Sequence, residues 1–179
     1  MDKVESNFGF SLMSLSYKFR DLLAPRKNVL KEVEIKPGFA VLDYGCGPGG
    51  YVIATAELVG KSGKIYALDI HPLAIQMVQS IASKKQLANV QTICSDCKTG
   101  LPDSSIDVVL LYDTLHALGD SNGVLAELHR VLKPSGILSF SDHHLKEEEI
   151  ISVVTGNGLF NLSRKDERTY SFVRDEGES

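Results

Sequence analysis

Short, continuously apolar runs rich in β-branched residues alternate along this chain with longer stretches in which apolar positions recur every third or fourth residue. That is the pattern of strands alternating with amphipathic helices. It predicts strands at 40–44, 64–69, 90–94, 106–112, 137–141, 160–164 and 170–174. Helices are predicted at 14–34 with an interruption at Pro25, at 51–59, after His71-Pro72, at 124–132 and at 146–155. Gly and Pro punctuate the joins, as in Lys36-Pro37-Gly38, Gly60-Lys61-Ser62-Gly63 and Lys133-Pro134-Ser135-Gly136. The run Ile106-Asp107-Val108-Val109-Leu110-Leu111-Tyr112 is the most apolar, as expected of a strand covered on both faces at the centre of a parallel sheet. A short charged stretch, Lys165-Asp166-Glu167-Arg168, separates the last two strands. That is too short for a crossover helix, so these two must pair antiparallel.

Composition narrows the class. The 179 residues suit one domain with a proper core, with 43% hydrophobic and 23% charged residues. A net charge of −4 gives no electrostatic footprint for nucleic acid. No apolar run reaches the length of a membrane span, and Met1-Asp2-Lys3-Val4-Glu5 lacks the basic and apolar regions of a secretory signal. The expectation is a cytoplasmic, single-domain protein, a monomer or homodimer, with its three cysteines reduced.

The chemistry concentrates where the first strand ends, at Asp43-Tyr44-Gly45-Cys46-Gly47-Pro48-Gly49-Gly50. Glycines so closely spaced let a backbone curl and present its N–H groups to a ligand beside a helix start. Gly45-x-Gly47-x-x-Gly50 formally satisfies a dinucleotide fingerprint. Asp43 argues otherwise, because a carboxylate beside the loop repels a pyrophosphate and suits a ligand that carries an ammonium group. The segment from Asp43 to Gly49 resembles motif I of the class I S-adenosylmethionine-dependent methyltransferases, and the resemblance continues from about residue 36 to 145. It is closest to the small-molecule methyltransferases of the ubiquinone/menaquinone-biosynthesis type. It implies a doubly wound, Rossmann-like α/β sheet of seven strands, order 3-2-1-4-5-7-6, with strand seven antiparallel and helices on both faces. Residues 36–175 would form the catalytic core, 1–35 a helical cover and 176–179 a flexible tail. The implied cofactor is S-adenosyl-L-methionine, with S-adenosyl-L-homocysteine as product and a small molecule as methyl acceptor. The alternatives are an NAD(P)-binding oxidoreductase and a non-catalytic S-adenosylmethionine-binding partner subunit.

The resemblance assigns the cofactor to Asp43, Gly45, Cys46, Gly47 and Gly49, to Asp69 for the ribose hydroxyls, to Ile70 against the adenine, and to Asp96 and Cys97 at the adenine edge. Asp69 is otherwise an N-cap for the next helix. Asp113 and His116, after the fourth strand, resemble the segment beside the transferable methyl group. His116 is either the general base or a helix-start histidine bonded to backbone. Ser141-Asp142-His143-His144 closes the fifth strand with an unusual density of polar groups, and His144 joins His116 and Asp113 as a catalytic candidate. These carboxylates and imidazoles are competent metal ligands. They do not reproduce the ligand pattern of the metal-dependent catechol-type enzymes, so no metal is assigned.

Cys94-Ser95-Asp96-Cys97 has zinc or redox spacing but no second ligand pair, which leaves Cys94 as strand core. His129 is expected at the surface. The aromatic-rich segment 8–20 is an amphipathic helix on the sheet, a lid over the cofactor or a contact with a second subunit, and Tyr17 would reach the cofactor carboxylate.

Overall fold

The computed structural model describes residues 26–177. In chain order the elements are α1 (Arg26–Leu30), β1 (Ala40–Tyr44), α2 (Val52–Val59), β2 (Lys64–Asp69), α3 (Pro72–Lys85), β3 (Val90–Cys94) and β4 (Ile106–Tyr112). There follow a 3₁₀ turn (Leu115–Ala117), α4 (Ser121–Val131), β5 (Leu132–Ser141), α5 (Glu147–Thr155), β6 (Phe160–Lys165) and β7 (Tyr170–Arg174). The strands form one sheet in the order β3-β2-β1-β4-β5-β7-β6. β1 to β5 run parallel, and β7 lies antiparallel to both β5 and β6. The order reverses between β1 and β4, where Val41 faces Val108 and Tyr44 faces Leu111.

The two-residue period of a strand divides the core between the two faces of the sheet. Val41, Ile65, Val108, Leu110 and Tyr112 pack with Leu30 and Val33 and with Ala54, Ala56 and Val59 of α2. Leu42, Leu68, Val109 and Leu111 point the other way, into a cluster with Leu125 and Leu128 of α4, Val154 of α5, and Phe140, Phe160 and Phe172. β4 contributes to both, which is why its sequence shows no alternation. α4 is anchored by four apolar residues on one side, Val124, Leu125, Leu128 and Val131, none more than 1% exposed. Each contributes about 2 kcal/mol of hydrophobic stabilisation. The helix starts where the Asp120 side chain accepts from Gly123 N–H at 2.8 Å.

Four expectations change. The N-terminal helix stops at Leu30 rather than Glu34, because Glu32 is drawn to the β6–β7 turn. Its Oε2 accepts from Arg168 N–H, Thr169 N–H and Thr169 Oγ1, each at 3.0 Å. β5 begins at Leu132, which pairs with Ile106 before an irregularity at residues 133–136, and pairing resumes at Val108 with Ile137. Cys94 is exposed on the edge strand β3 instead of in the core. His129 is half-buried, its ring edge-on to Phe160 at 5.6 Å. The segment 8–20, and Tyr17 within it, lie outside the described residues.

Candidate active site

The carboxyl ends of β1 to β5 come together along one edge of the sheet, the usual ligand edge of an open α/β fold. At the end of β1 the chain turns through Gly45, Gly47 and Gly49, whose φ angles are +75°, +50° and +82°. Gly45 N–H and Cys46 N–H both donate to Leu68 O at 2.9 Å, pinning the loop to β2. Gly45 and Gly47 differ in what surrounds them. A Cβ on Gly45 would lie 2.3 Å from Thr114 Oγ1, so the segment after β4 packs directly on the first glycine. A Cβ on Gly47 would meet nothing within 4 Å, leaving open space over the loop where backbone can approach a ligand.

Two carboxylates flank this loop. Asp69 Oδ2 accepts from Gly47 N–H at 2.9 Å and its Oδ1 from His71 N–H at 2.8 Å, so the end of β2 holds the loop in shape. Burial raises the Asp69 carboxyl above its ordinary range, with both N–H donors opposing the rise. The N-cap of α3 is His71, whose Nδ1 accepts from Leu73 N–H at 3.1 Å, so the helix-cap alternative for Asp69 falls. Asp43 is 3% exposed, and its Oδ2 finds no hydrogen-bond donor among the described residues. Burial pushes its carboxyl up to about 7; the nearby Arg26 charge opposes this and Asp69 adds to it.

The other cofactor candidates differ in what they present. Cys46 turns its thiol into a small cluster with Val52, Ala67 and Val78, so it shapes the loop from beneath. Burial, with Asp43 and Asp69, pushes that thiol well up. Ile70 is half-buried next to Asp69. The Asp96 side chain is exposed, and its carbonyl accepts from Tyr44 Oη at 3.2 Å. Cys97 is half-buried against the core, with its N–H donating to Ser95 Oγ at 3.4 Å. Arg26, which carried no signal in the sequence, lies against the loop: its guanidinium occupies the space beside Gly50 and sits 4.7 Å from the Tyr51 ring centroid.

Asp113 and His116 follow β4, and Asp142, His143 and His144 follow β5. These neighbouring strand ends exchange partners. His116 Nδ1 lies 2.9 Å from Asp142 Oδ2, while Asp113 Oδ1 pairs with His143 Nδ1. Asp113 reaches across because its backbone is left-handed, at φ +49°. His144 lies between the other rings, 4.2 Å from His116 and 4.0 Å from His143 centroid to centroid.

A family model described as a methyltransferase domain matches residues 35–173. The chain belongs to the methyltransferase-domain family. S-adenosylmethionine is the cofactor that membership in this family implies. The methyltransferase domain is 34% identical over 128 residues to a demethylmenaquinone methyltransferase of Geobacillus sp. (strain WCH70), covering 71% of this chain and 55% of that one. It is also 34% identical over 129 residues to the enzyme of that name from Geobacillus stearothermophilus, covering 72% and 55%. The chain thus spans about half the length of the relatives it matches. Among solved structures it resembles an S-adenosylmethionine-dependent methyltransferase from Aquifex aeolicus, with TM-score 0.75 and 27% identity over 88% of this chain and 97% of that one. The doubly wound fold with a reversed β7 agrees with this. The oxidoreductase alternative is set aside, both by the match and by the carboxylates around the loop.

Proposed function

We propose that this domain transfers a methyl group from S-adenosylmethionine to a small-molecule acceptor by in-line displacement, with the cofactor on the β1–β3 side of the edge and the acceptor on the β4–β5 side. The observation that carries the proposal is the buried Asp43 oxygen that has no donor among the described residues, beside a loop whose Gly47 has open space above it. A buried carboxylate attracts a cation, and the cofactor carries both an ammonium and a sulfonium. Asp43 holds the ammonium, and Gly45, Gly47 and Gly49 keep the backbone close to the methionine end. Cys46 supports the loop from below. Arg26 supplies positive charge for the carboxylate end, a task that Tyr17 would share. Each oxygen of Asp69 has a lone pair beyond its backbone bond, enough for the two ribose hydroxyls. Ile70, Asp96 and Cys97 flank the adenine.

When bound, S-adenosylmethionine supplies an electrophilic methyl carbon on a positively charged sulfur. The protein's main task is to hold an acceptor atom in line with that carbon, because orientation supplies much of the rate in such a displacement. Thr114 against Gly45 joins the acceptor segment to the cofactor loop, which fixes the two halves relative to each other. His116 takes a proton from an acceptor that arrives carrying one, while His144 and Asp113 shape that side. The relatives' names and the net charge of −4 support a small molecule over a nucleic acid.

Calorimetry with S-adenosylmethionine and S-adenosylhomocysteine, followed by measurement of S-adenosylhomocysteine release with a panel of small acceptors, tests this. Binding with turnover supports it. Binding without turnover on any acceptor favours the partner-subunit alternative, and absence of binding overturns both.

A further inference from the structure

The Asp142 carboxylate, at the end of β5, is the hub of the acceptor side. The side chain is fully buried. Oδ2 accepts from His116 N–H at 3.3 Å, and Oδ1 accepts from His144 N–H at 3.0 Å. His116 Nδ1 lies within 3.1 Å of both oxygens. A carboxylate that already takes one backbone N–H on each oxygen offers Nδ1 only acceptor positions, so in the neutral ring the proton belongs on Nδ1 and the lone pair on Nε2. The ring itself is 30% exposed, so an Nε2 base stays within reach of an incoming acceptor. The second Asp–His pair and the intervening His144 ring brace this arrangement, because the two pairs join β4 and β5 in opposite directions.

We infer that Asp142 is a positioning residue that holds His116 in the Nδ1–H tautomer, leaving Nε2 as the base; this rests on the reading of His116 as the acceptor-side base. In the step it serves, the proton of the acceptor's X–H bond moves to Nε2 and its electron pair stays on the acceptor. The acceptor forms a bond to the methyl carbon as the methyl–sulfur bond breaks, and that pair remains on the sulfur. Asp142 then faces a doubly protonated imidazolium and stabilises it, the orienting role that an Asp plays beside the histidine of a Ser-His-Asp triad.

The test is long-range ¹H–¹⁵N NMR on the full chain labelled at histidine nitrogens, with and without S-adenosylhomocysteine, for the native protein and Asp142→Asn. The native His116 ring is expected in the Nδ1–H form. An amide can accept on only one of its two atoms and cannot satisfy all three donors, so Asp142→Asn is expected to shift the tautomer ratio by about tenfold or more. A native His116 in the Nε2–H form, or a ratio unchanged in Asp142→Asn, overturns the inference. If the variant does not fold, the native spectrum alone decides. S-adenosylhomocysteine should move the His116 ring resonances. If they stay fixed while the Nδ1–H form is present, the placement of His116 beside the reacting centre fails, and the base role falls with it.

Discussion

Asp43→Asn separates the carboxyl's charge from its shape and has a calculable consequence. In the folded, ligand-free protein burial raises the Asp43 carboxyl to about 7, against 3.8 for an ordinary aspartate. The folded state therefore binds more protons than the unfolded chain between those values, and stability falls as pH rises through that window. Stability from this group is fully present below about pH 4 and lost by about pH 7. A gap of about three pH units at ~1.4 kcal/mol per unit amounts to about 4 kcal/mol. Asparagine has no proton to lose, so the native protein should lose about 4 kcal/mol relative to Asp43→Asn between pH 4 and pH 8. Titrating groups that do not interact with Asp43 cancel in the difference, whereas Asp69 and Cys46, which do, add a smaller contribution of their own. Urea unfolding of both proteins at pH 4.5, 6 and 8, without ligand, measures it. A native-minus-variant difference that stays flat within about 1 kcal/mol over that range would refute the buried-charge argument. Saturating S-adenosylmethionine should reduce the slope, because its ammonium stabilises the ionised carboxylate.

Other expectations follow from the same geometry. Gly45→Ala puts a methyl 2.3 Å from Thr114 Oγ1 at φ +75°, and should cost about 2–3 kcal/mol of stability and abolish cofactor binding. Adding Thr114→Ala should recover part of that loss in a double-mutant cycle on urea midpoints, and additive losses would contradict the contact. Leu125→Ala, at a fully buried core position, should cost about 2–5 kcal/mol by urea unfolding while leaving S-adenosylhomocysteine affinity unchanged. Glu32→Ala removes three hydrogen bonds at the β6–β7 turn and should lower the thermal midpoint without changing cofactor affinity. A large affinity change would make Glu32 part of the binding site.

Local patterning was enough to place β1, β2, β3, β4 and β7, whose bounds match the apolar runs end for end, and the short charged segment after β6 dictated the reversed β7. Features that depend on distant partners were not visible. α1 ends early because Glu32 meets Thr169 at a separation of 137 residues. Cys94 reads as core from its place in a strand, but β3 is an edge and presents it outward. At the site, Asp43 and the glycines lie in one short motif, and Asp69 and Asp113 stand at strand ends that the apolar pattern marks. Thr114 against Gly45, Arg26 beside Gly50 and the crossed Asp–His pairs join separate loops, and no spacing in the sequence announces them.

The loop after β1, held by Asp69, is the proposed binding site of S-adenosylmethionine. Asp69→Ala removes the acceptor for Gly47 N–H and His71 N–H together with the proposed ribose contact. Isothermal titration of S-adenosylhomocysteine into the native chain and into this variant measures that binding, with circular dichroism confirming that both are folded. One site per native chain is expected, with affinity at least about thirtyfold weaker in Asp69→Ala, from the loss of charge-assisted hydrogen bonds. No binding by the native chain, or equal affinity in the two proteins, would contradict this assignment.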